Sequence, residues 1–444
     1  LKVLVSDNLS PVGIQIFEQT PGIEVDVNTG LSPEELKAII PDYHALVIRS
    51  ATKVTADIIS AATNLKVIGR AGIGLDNVDI PAATQRGIVV MNTPEGNTVT
   101  TAEHTIAMMM ALCRNIPQAT ASLKAGKWEK KKLQGRELFN KTLGIIGAGH
   151  IGRIVADRAK GLKMKVIVYD PYLQEEVLEK LEIEPVSFDE LLSRADIITI
   201  HTPRTEETTN MINEKALGRM KKGAMLVNCA RGGIVNEDDL YDALKSGHLA
   251  GAALDVFSKE PPGMIKLMEL DNFICTPHLG ASTKEAQDNV ARDVANQIVA
   301  YLLKGEVKNA VNVPSISAEL MNVLRPYALL VEKMGLLQAQ LTGSAIREIE
   351  IKYAGAVADY DVGPLTTATL KGLLTPILKD EVNFVNASVI AAERGIKVVE
   401  AKSDTSENFA NLVVLRVKAE EGENVVAGTV FGKDIPRIVR INEF

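Results

Sequence analysis

Lys141-Thr-Leu-Gly-Ile-Ile-Gly-Ala-Gly-His-Ile-Gly-Arg-Ile-Val-Ala156 reads as a strand, a glycine turn and the start of a helix. Leu143 to Ile146 is a short apolar run of the kind buried in parallel sheets, and Gly147-x-Gly149-x-x-Gly152 follows at once. His150 to Lys160 then carries helical spacing. The three glycines serve different purposes. Gly147 permits the tight turn, Gly149 lets a diphosphate approach the backbone, and Gly152 lets the helix lie close on the strand. The helix N-terminus adds free N–H groups for that diphosphate. A second apolar run, Lys165-Val-Ile-Val-Tyr169, ends at Asp170, close to the spacing of about 20 residues at which an acid accepts hydrogen bonds from an adenosine ribose. Asp170 would repel a 2′-phosphate and no Arg follows it closely, so the reading is a Rossmann unit for NAD rather than NADP.

Working outward to the C-terminal side, further strands are expected at Ile197–His201, Ala224–Asn228, Gly251–Val256 and Phe273–Thr276. They exit into His201-Thr-Pro, Cys229-Ala-Arg-Gly-Gly, Asp255 and Pro277-His-Leu-Gly-Ala281. Open α/β sheets bind ligands at that carboxyl edge. A site assembled from several strand ends follows.

On the N-terminal side, residues 1–95 alternate apolar runs with helical ones. Strands are expected at Lys2–Ser6, Glu24–Asn28, Ala45–Arg49, Lys66–Gly69 and Val89–Met91. Ser32–Ile39 is a helix that Ser32 can cap and Pro33 can open. This is a second parallel α/β unit, without a glycine fingerprint after its first strand. Arg49 and Arg70 both stand at carboxyl strand ends, where two guanidiniums suit an anion. Asn97 to about Gly126 reads as one long helix and Ser282 to about Leu303 as another. Trp128, the only tryptophan, lies beside the solvated run Lys130–Lys132 and suits a subunit contact. Past Pro314 the texture changes: 320–341 is helical, Glu348–Tyr353 and Asn411–Lys418 are strand-like, and Asp404–Asn408 reads as a loop. Residues 314–444 are expected to form a separate α/β domain without catalytic chemistry.

The bulk numbers narrow the function. A net charge of −7 over 444 residues gives no general reason to bind nucleic acid or an anionic membrane. Cys113, Cys229 and Cys275 lie far apart without CxxC spacing, which points away from zinc, any other metal centre and a disulfide framework, and toward a reducing cytoplasm. Lys2-Val-Leu-Val-Ser6 is already a strand, so no signal peptide is expected, and the missing initiator Met suggests a chain shorter than its translated product.

Beside NAD a protein must hold the substrate, exchange a proton with its oxygen and aim the reacting carbon. Of six histidines, His44, His104, His150, His201, His248 and His278, only His201 and His278 stand at suitable strand ends. The residues alone leave these two open. An imidazole that must carry a proton gains from a nearby carboxylate, for which Glu260, ahead of Pro261-Pro262, is a candidate. Arg231 can grip a carboxylate and polarise the adjoining carbonyl.

Ile48-Arg-Ser-Ala-Thr-Lys-Val-Thr55, Gly69-Arg-Ala-Gly-Ile-Gly-Leu-Asp-Asn-Val-Asp79, Asn92-Thr-Pro-Glu-Gly-Asn97, Gly147–Gly152, Asn228-Cys-Ala-Arg-Gly-Gly-Ile-Val235, Lys259-Glu-Pro-Pro262 and Pro277-His-Leu-Gly-Ala-Ser-Thr283 appear in family order over residues 1–313. On these stretches the chain resembles the D-isomer-specific 2-hydroxyacid dehydrogenases. The resemblance implies that Arg231 binds the substrate's carboxylate and carbonyl, that His278 is the acid/base and that Glu260 pairs with it. It implies NAD contacts from Gly147, Gly149, His150, Ile151, Gly152, Asp170, Thr202, Cys229, Ala230, Arg231, Asp255, His278, Gly280 and Ala281. Arg49 and Arg70 would face a substrate phosphate or carboxylate, and Lys131 or its neighbours a partner subunit's site.

The fold it implies is a Rossmann NAD-binding domain, 97–280, inserted in a flavodoxin-like substrate domain, 1–96 with 281–313. Substrate is then expected between these domains. Residues 314–444 would be a regulatory-type domain, which in longer relatives precedes a serine-binding ACT domain not found before Phe444. The implied activity is NAD-dependent oxidation of 3-phosphoglycerate to 3-phosphohydroxypyruvate, the first step of serine synthesis, by a cytoplasmic homodimer or homotetramer. The alternatives are a reductase of glyoxylate, hydroxypyruvate or 2-oxoglutarate, and a non-enzymatic NAD-sensing protein.

Overall fold

The computed structural model describes residues 1–173, 177, 180, 182–313, 318–378, 382–405, 409–432 and 434–444. The junction expected at Pro314 and the last residues of the loop expected at 404–408 lie outside them. The chain divides into two compact units, Leu1–Thr93 with Ala291–Phe444, and Pro94–Val290. The return to the first unit therefore comes ten residues later than 280/281. Val290 explains part of this, since a Cβ on Gly96 would stand 2.5 Å from its Cγ1.

In the first unit, β1 (Lys2–Val5), β2 (Glu24–Val27), β3 (Ala45–Ile48), β4 (Val67–Arg70) and β5 (Val89–Asn92) form a parallel sheet in the order β2-β1-β3-β4-β5. That is the flavodoxin-like order. The central strands are continuous apolar runs because both faces are covered: Val3, Leu4 and Val5 are buried completely. Ser32 and Glu35 form a capping box on the helix Pro33–Ile39.

The second unit holds β6 (Thr142–Ile146), β7 (Lys165–Tyr169), β8 (Glu184–Pro185), β9 (Ile197–Ile200), β10 (Met225–Asn228), β11 (Gly251–Leu254) and β12 (Phe273–Cys275), in the order β12-β11-β10-β9-β6-β7-β8. The strand order reverses beside β6. The strand that carries the glycines is therefore at the switch point, where such sheets open a crevice.

The long helix expected over 97–126 is two helices, Thr98–Cys113 and Ile116–Lys124, with Asn115 between them at φ 52°. Pro117 is the reason. It lacks an N–H, and in a continuous helix its ring would strike the Cys113 carbonyl. The released carbonyl accepts the Arg136 N–H at 2.8 Å instead.

The rest of the first unit is an α/β layer of its own. β13 (Ile346–Gly355), β14 (Lys397–Ser403), β15 (Asn411–Ala419), β16 (Gly422–Phe431) and β17 (Ile435–Ile441) form a mixed sheet in the order β14-β13-β15-β16-β17. Ile349, Ile351 and Tyr353 face its core, while Glu348, between Lys418 and Lys397, has its carboxyl pulled down to about 2. Helices Ala318–Leu341 and Gly363–Leu378 cover the sheet and nearly touch at glycines: a Cβ on Gly372 would meet Glu332 O at 2.1 Å. Asn383 Nδ2 donates to Gly87 O at 2.7 Å, and Gln85 Nε2 to Glu393 Oε1 at 2.9 Å, tying this layer to the first sheet. Among the described residues, no helix is long and apolar enough to cross a membrane.

Candidate active site

Six strand ends of the second unit carry the residues singled out above. After β6, Gly147 has φ 92°, and a Cβ there would lie 2.7 Å from His201 O. A Cβ on Gly152 would lie 2.1 Å from Gly147 O, so only hydrogen fits between helix and turn. Gly149 meets nothing within 4 Å. It begins the helix His150–Gly161 without a side-chain cap, leaving an open cradle before the first helical N–H groups. At the end of β7, Asp170 Oδ2 accepts the Ala148 N–H at 2.8 Å and Oδ1 the Tyr172 N–H at 3.0 Å. The acid thereby stands at the glycine turn, with lone pairs left for a ribose.

After β9 lie His201 and Thr202. The His201 ring is enclosed: its Nδ1 is buried without a hydrogen-bond partner, and its Nε2 lies 3.0 Å from Thr199 Oγ1. Burial drives this imidazole down to about 3, so it is neutral and poorly placed to exchange protons. Thr202 Oγ1 is buried and has no hydrogen-bond partner, which is the condition of a group that a ligand completes. After β10, the buried Asn228 Oδ1 accepts the Ala230 N–H at 3.0 Å and its Nδ2 donates to Arg231 O at 2.9 Å. That side chain shapes the turn that presents Arg231. Cys229 beneath it is inert, because burial, with Asp255 adding, pushes its thiol up to about 12.

Asp255, after β11, is fully buried. Its Oδ1 accepts from Thr276 Oγ1 at 2.6 Å and from the Leu279 N–H at 2.7 Å, and its Oδ2 from the Gly280 N–H at 2.8 Å. Burial raises the carboxyl, but hydrogen bonds from His104, Thr276 and Leu279 outweigh it and hold the group below its ordinary value. Asp255 is thus the anchor of the loop after β12. In that loop His278 adopts φ 54°, an uncommon backbone for a non-glycine residue, fixed by its N–H to Asp255 O at 2.9 Å.

Glu260 Oε1 accepts the Phe257 N–H at 3.1 Å, and its Oε2 lies 2.7 Å from His278 Nδ1. The His278 side chain is 49% exposed, whereas the free nitrogen of His201 is shut away from solvent. Of the two histidines that the residues alone left open, only His278 combines a carboxylate partner with access to solvent.

His104 escaped assignment. Its Nε2 lies 3.1 Å from Thr276 Oγ1 and 3.3 Å from Asp255 Oδ1. The signal was helical spacing: Thr101, His104, Thr105 and Met108 share one face of Thr98–Cys113. In the first unit, Arg49 follows β3 and Arg70 ends β4, with Ile48 and Arg70 in register, so both stand at one sheet edge. Buried Asp7 accepts the Arg49 N–H at 2.6 Å and the Thr52 hydroxyl at 2.7 Å, while Asn77 Nδ2 donates to Arg49 O at 2.7 Å. Gly72 leaves room for the Arg70 guanidinium, 2.1 Å from where a Cβ would be.

A family model described as the D-isomer specific 2-hydroxyacid dehydrogenase NAD binding domain matches residues 106–280, and one described as the D-3-phosphoglycerate dehydrogenase intervening domain matches 323–442. The D-3-phosphoglycerate dehydrogenase of Synechocystis sp. is 47% identical over 444 residues, covering 100% of this chain and 80% of that protein. That of Archaeoglobus fulgidus is 47% identical over 445 residues, covering 100% and 84%. The crystal structure of NAD+-bound 3-phosphoglycerate dehydrogenase from Entamoeba histolytica aligns with a TM-score of 0.60 and 32% identity, over 70% of this chain and 98% of that one.

Proposed function

The chain belongs to the D-isomer-specific 2-hydroxyacid dehydrogenases, and from that premise we propose that it oxidises 3-phosphoglycerate to 3-phosphohydroxypyruvate with NAD, the first step of serine synthesis. The observation that carries the chemistry is the 2.7 Å contact of Glu260 Oε2 with His278 Nδ1. It directs the Nδ1 proton at the carboxylate and leaves Nε2 as the free base, the tautomer a general base needs. His278 then takes the C2 hydroxyl proton, and Glu260 steadies the imidazolium that results. Arg231 holds the substrate carboxylate and polarises the adjoining oxygen in the reverse reaction. NAD, when bound, supplies the hydride acceptor.

In this reading the backbone of Gly147, Gly149, His150, Ile151 and Gly152 takes the cofactor's diphosphate and Asp170 its ribose. Thr202, Cys229, Ala230, Asp255 and the loop His278–Ala281 line the remainder. Arg49 and Arg70 supply positive charge for the substrate's phosphate or carboxylate. A homo-oligomer belongs to the same reading: Trp128 is 82% exposed, and Ile116 and Leu123 are exposed one heptad apart on one helix. The three free cysteines, two of them buried, suit a cytoplasmic setting.

Steady-state NADH oxidation with 3-phosphohydroxypyruvate, set against hydroxypyruvate, glyoxylate and 2-oxoglutarate, tests the assignment. A kcat/KM preference of about tenfold or more for the phosphorylated acid is expected, equivalent to about 1.4 kcal/mol. Equal turnover of an unphosphorylated acid would assign the chain to a sister enzyme.

A further inference from the structure

Outside the residues already assigned, one contact bears directly on the reacting pair. Glu237 opens the helix Glu237–Lys245, and its Oε1 accepts the Ser258 N–H at 2.6 Å. Ser258 belongs to the turn that carries Glu260, in which the Phe257 N–H holds Glu260 Oε1 at 3.1 Å. Acids in a first helical turn ordinarily answer the helix dipole, and Asp238 and Asp239 follow Glu237 there. Capping, however, is done by Asn236, whose Oδ1 accepts the N–H groups of Asp238 and Asp239, each at 3.1 Å. Glu237 is left to reach off its own helix.

The same stretch braces the turn a second time. A Cβ on Gly232 would stand 1.7 Å from Phe257 O, so the loop that follows Arg231 lies directly on the turn that leads to Glu260. One segment, from Arg231 to Glu237, therefore locates the guanidinium and grips the carboxylate's turn.

We propose that Glu237 is a positioning residue: by fixing Ser258 it sets the orientation in which Glu260 meets His278. This rests on the acid/base reading of Glu260 and His278 given above. A misplacement of about 1 Å costs up to about 10²-fold in rate, so the anchor of a turn matters although it touches no substrate. A cavity of 440 Å³ lined in part by Asn236, Glu237, Ser258 and Met264 separates this role from mere stability. Water there can take the Ser258 N–H when the carboxylate is removed. Alignment is lost while the fold is kept.

The test compares Glu237→Ala, Glu237→Gln and Glu260→Gln in the full chain. Each is assayed for kcat and KM with 3-phosphohydroxypyruvate, for NADH affinity by fluorescence, for Tm, and for amide hydrogen exchange over residues 257–260. For Glu237→Ala, kcat is expected to fall about tenfold, within the range that misalignment produces. KM, NADH affinity and Tm stay close to wild type, and exchange at 257–260 quickens. Glu237→Gln keeps an acceptor at the same reach and recovers most of kcat. An unchanged kcat or unchanged exchange in Glu237→Ala, while Glu260→Gln is impaired, would overturn the proposal, as would a loss that Gln does not rescue. Full activity in Glu260→Gln would instead remove the acid/base reading on which the proposal stands.

Discussion

The first and second units each contain a parallel sheet built from the same alternation of strand and helix, yet they treat the end of the sheet's first strand in opposite ways. After β1, buried Asp7 fills the turn with the protein's own carboxylate, which takes the N–H of Arg49 and the hydroxyl of Thr52. After β6, Gly147 and Gly152 let the turn and helix pack tightly, and Gly149 between them faces nothing within 4 Å. The carboxylate of the second sheet, Asp170, is displaced to the end of β7, where it steadies Ala148. A sheet edge closed by its own anion presents cations, here Arg49 and Arg70. An edge left open presents backbone N–H groups to someone else's anion. The architecture allows both, and a few side chains at one turn choose between them.

The sharpest way to break this contrast is at the chemistry of the second sheet. His278→Ala should lower kcat about 10²- to 10⁴-fold with NADH affinity nearly kept, and activity within a factor of two of wild type would refute the acid/base role. The glycines come next. Gly152→Ala should lower stability by about 1–3 kcal/mol through overpacking and lose NADH binding as well. Gly149→Ala should keep its Tm and weaken NADH by only about tenfold, about 1.4 kcal/mol. Equal Tm losses in the two would show that the turn is merely structural.

In the first sheet, Asp7→Ala strands the Arg49 N–H and should cost about 1–3 kcal/mol in urea unfolding. It should also raise KM for 3-phosphohydroxypyruvate with little change in kcat. A fall in kcat with unchanged KM would detach Arg49 from the substrate.

The last effect is a pH dependence of stability, negligible at neutral pH and growing only as the solution is acidified. Folded His201 stays neutral to about 3, whereas an unfolded imidazole titrates near 6.5. The unfolded chain therefore takes up a proton that the folded one refuses, and stability falls below pH 6.5 by up to about 1.4 kcal/mol per unit. His201→Gln should flatten that slope in urea titrations between pH 7 and 5, and an undiminished slope would place it on other groups.

Much of the fold was legible because it depends on short-range rules. Gly147, Gly149 and Gly152 announce their backbone by spacing alone, Ser32 and Glu35 lie within one turn of each other, and the buried strands are uninterrupted apolar runs. The break at Asn115 was also local, written in Pro117, and the apolar periodicity on either side concealed it. In the last layer only β13 and β15 were read. Strand β14 is mixed in sequence and pairs with β13, far back along the chain, while β16 and β17 are arms of two tight hairpins, closed at Ala419–Gly422 and Phe431–Ile435, whose sequences lack a clean period of two.

By itself the sequence determined which residue types stand at which strand ends: Arg49, Arg70, Asp170, Thr202, Arg231, Asp255 and His278 were all nameable in advance, because strand periodicity and turn residues act over a few positions. Tertiary structure alone decided what each is able to do. His201 and His278 are equivalent as sequence, but one has its Nδ1 shut away from water and the other meets Glu260 at 2.7 Å. His104 reaches Asp255, and Glu237 reaches Ser258, across stretches of chain that no local rule spans. Burial and hydrogen-bond geometry are properties of the packed chain, and proton chemistry follows from both.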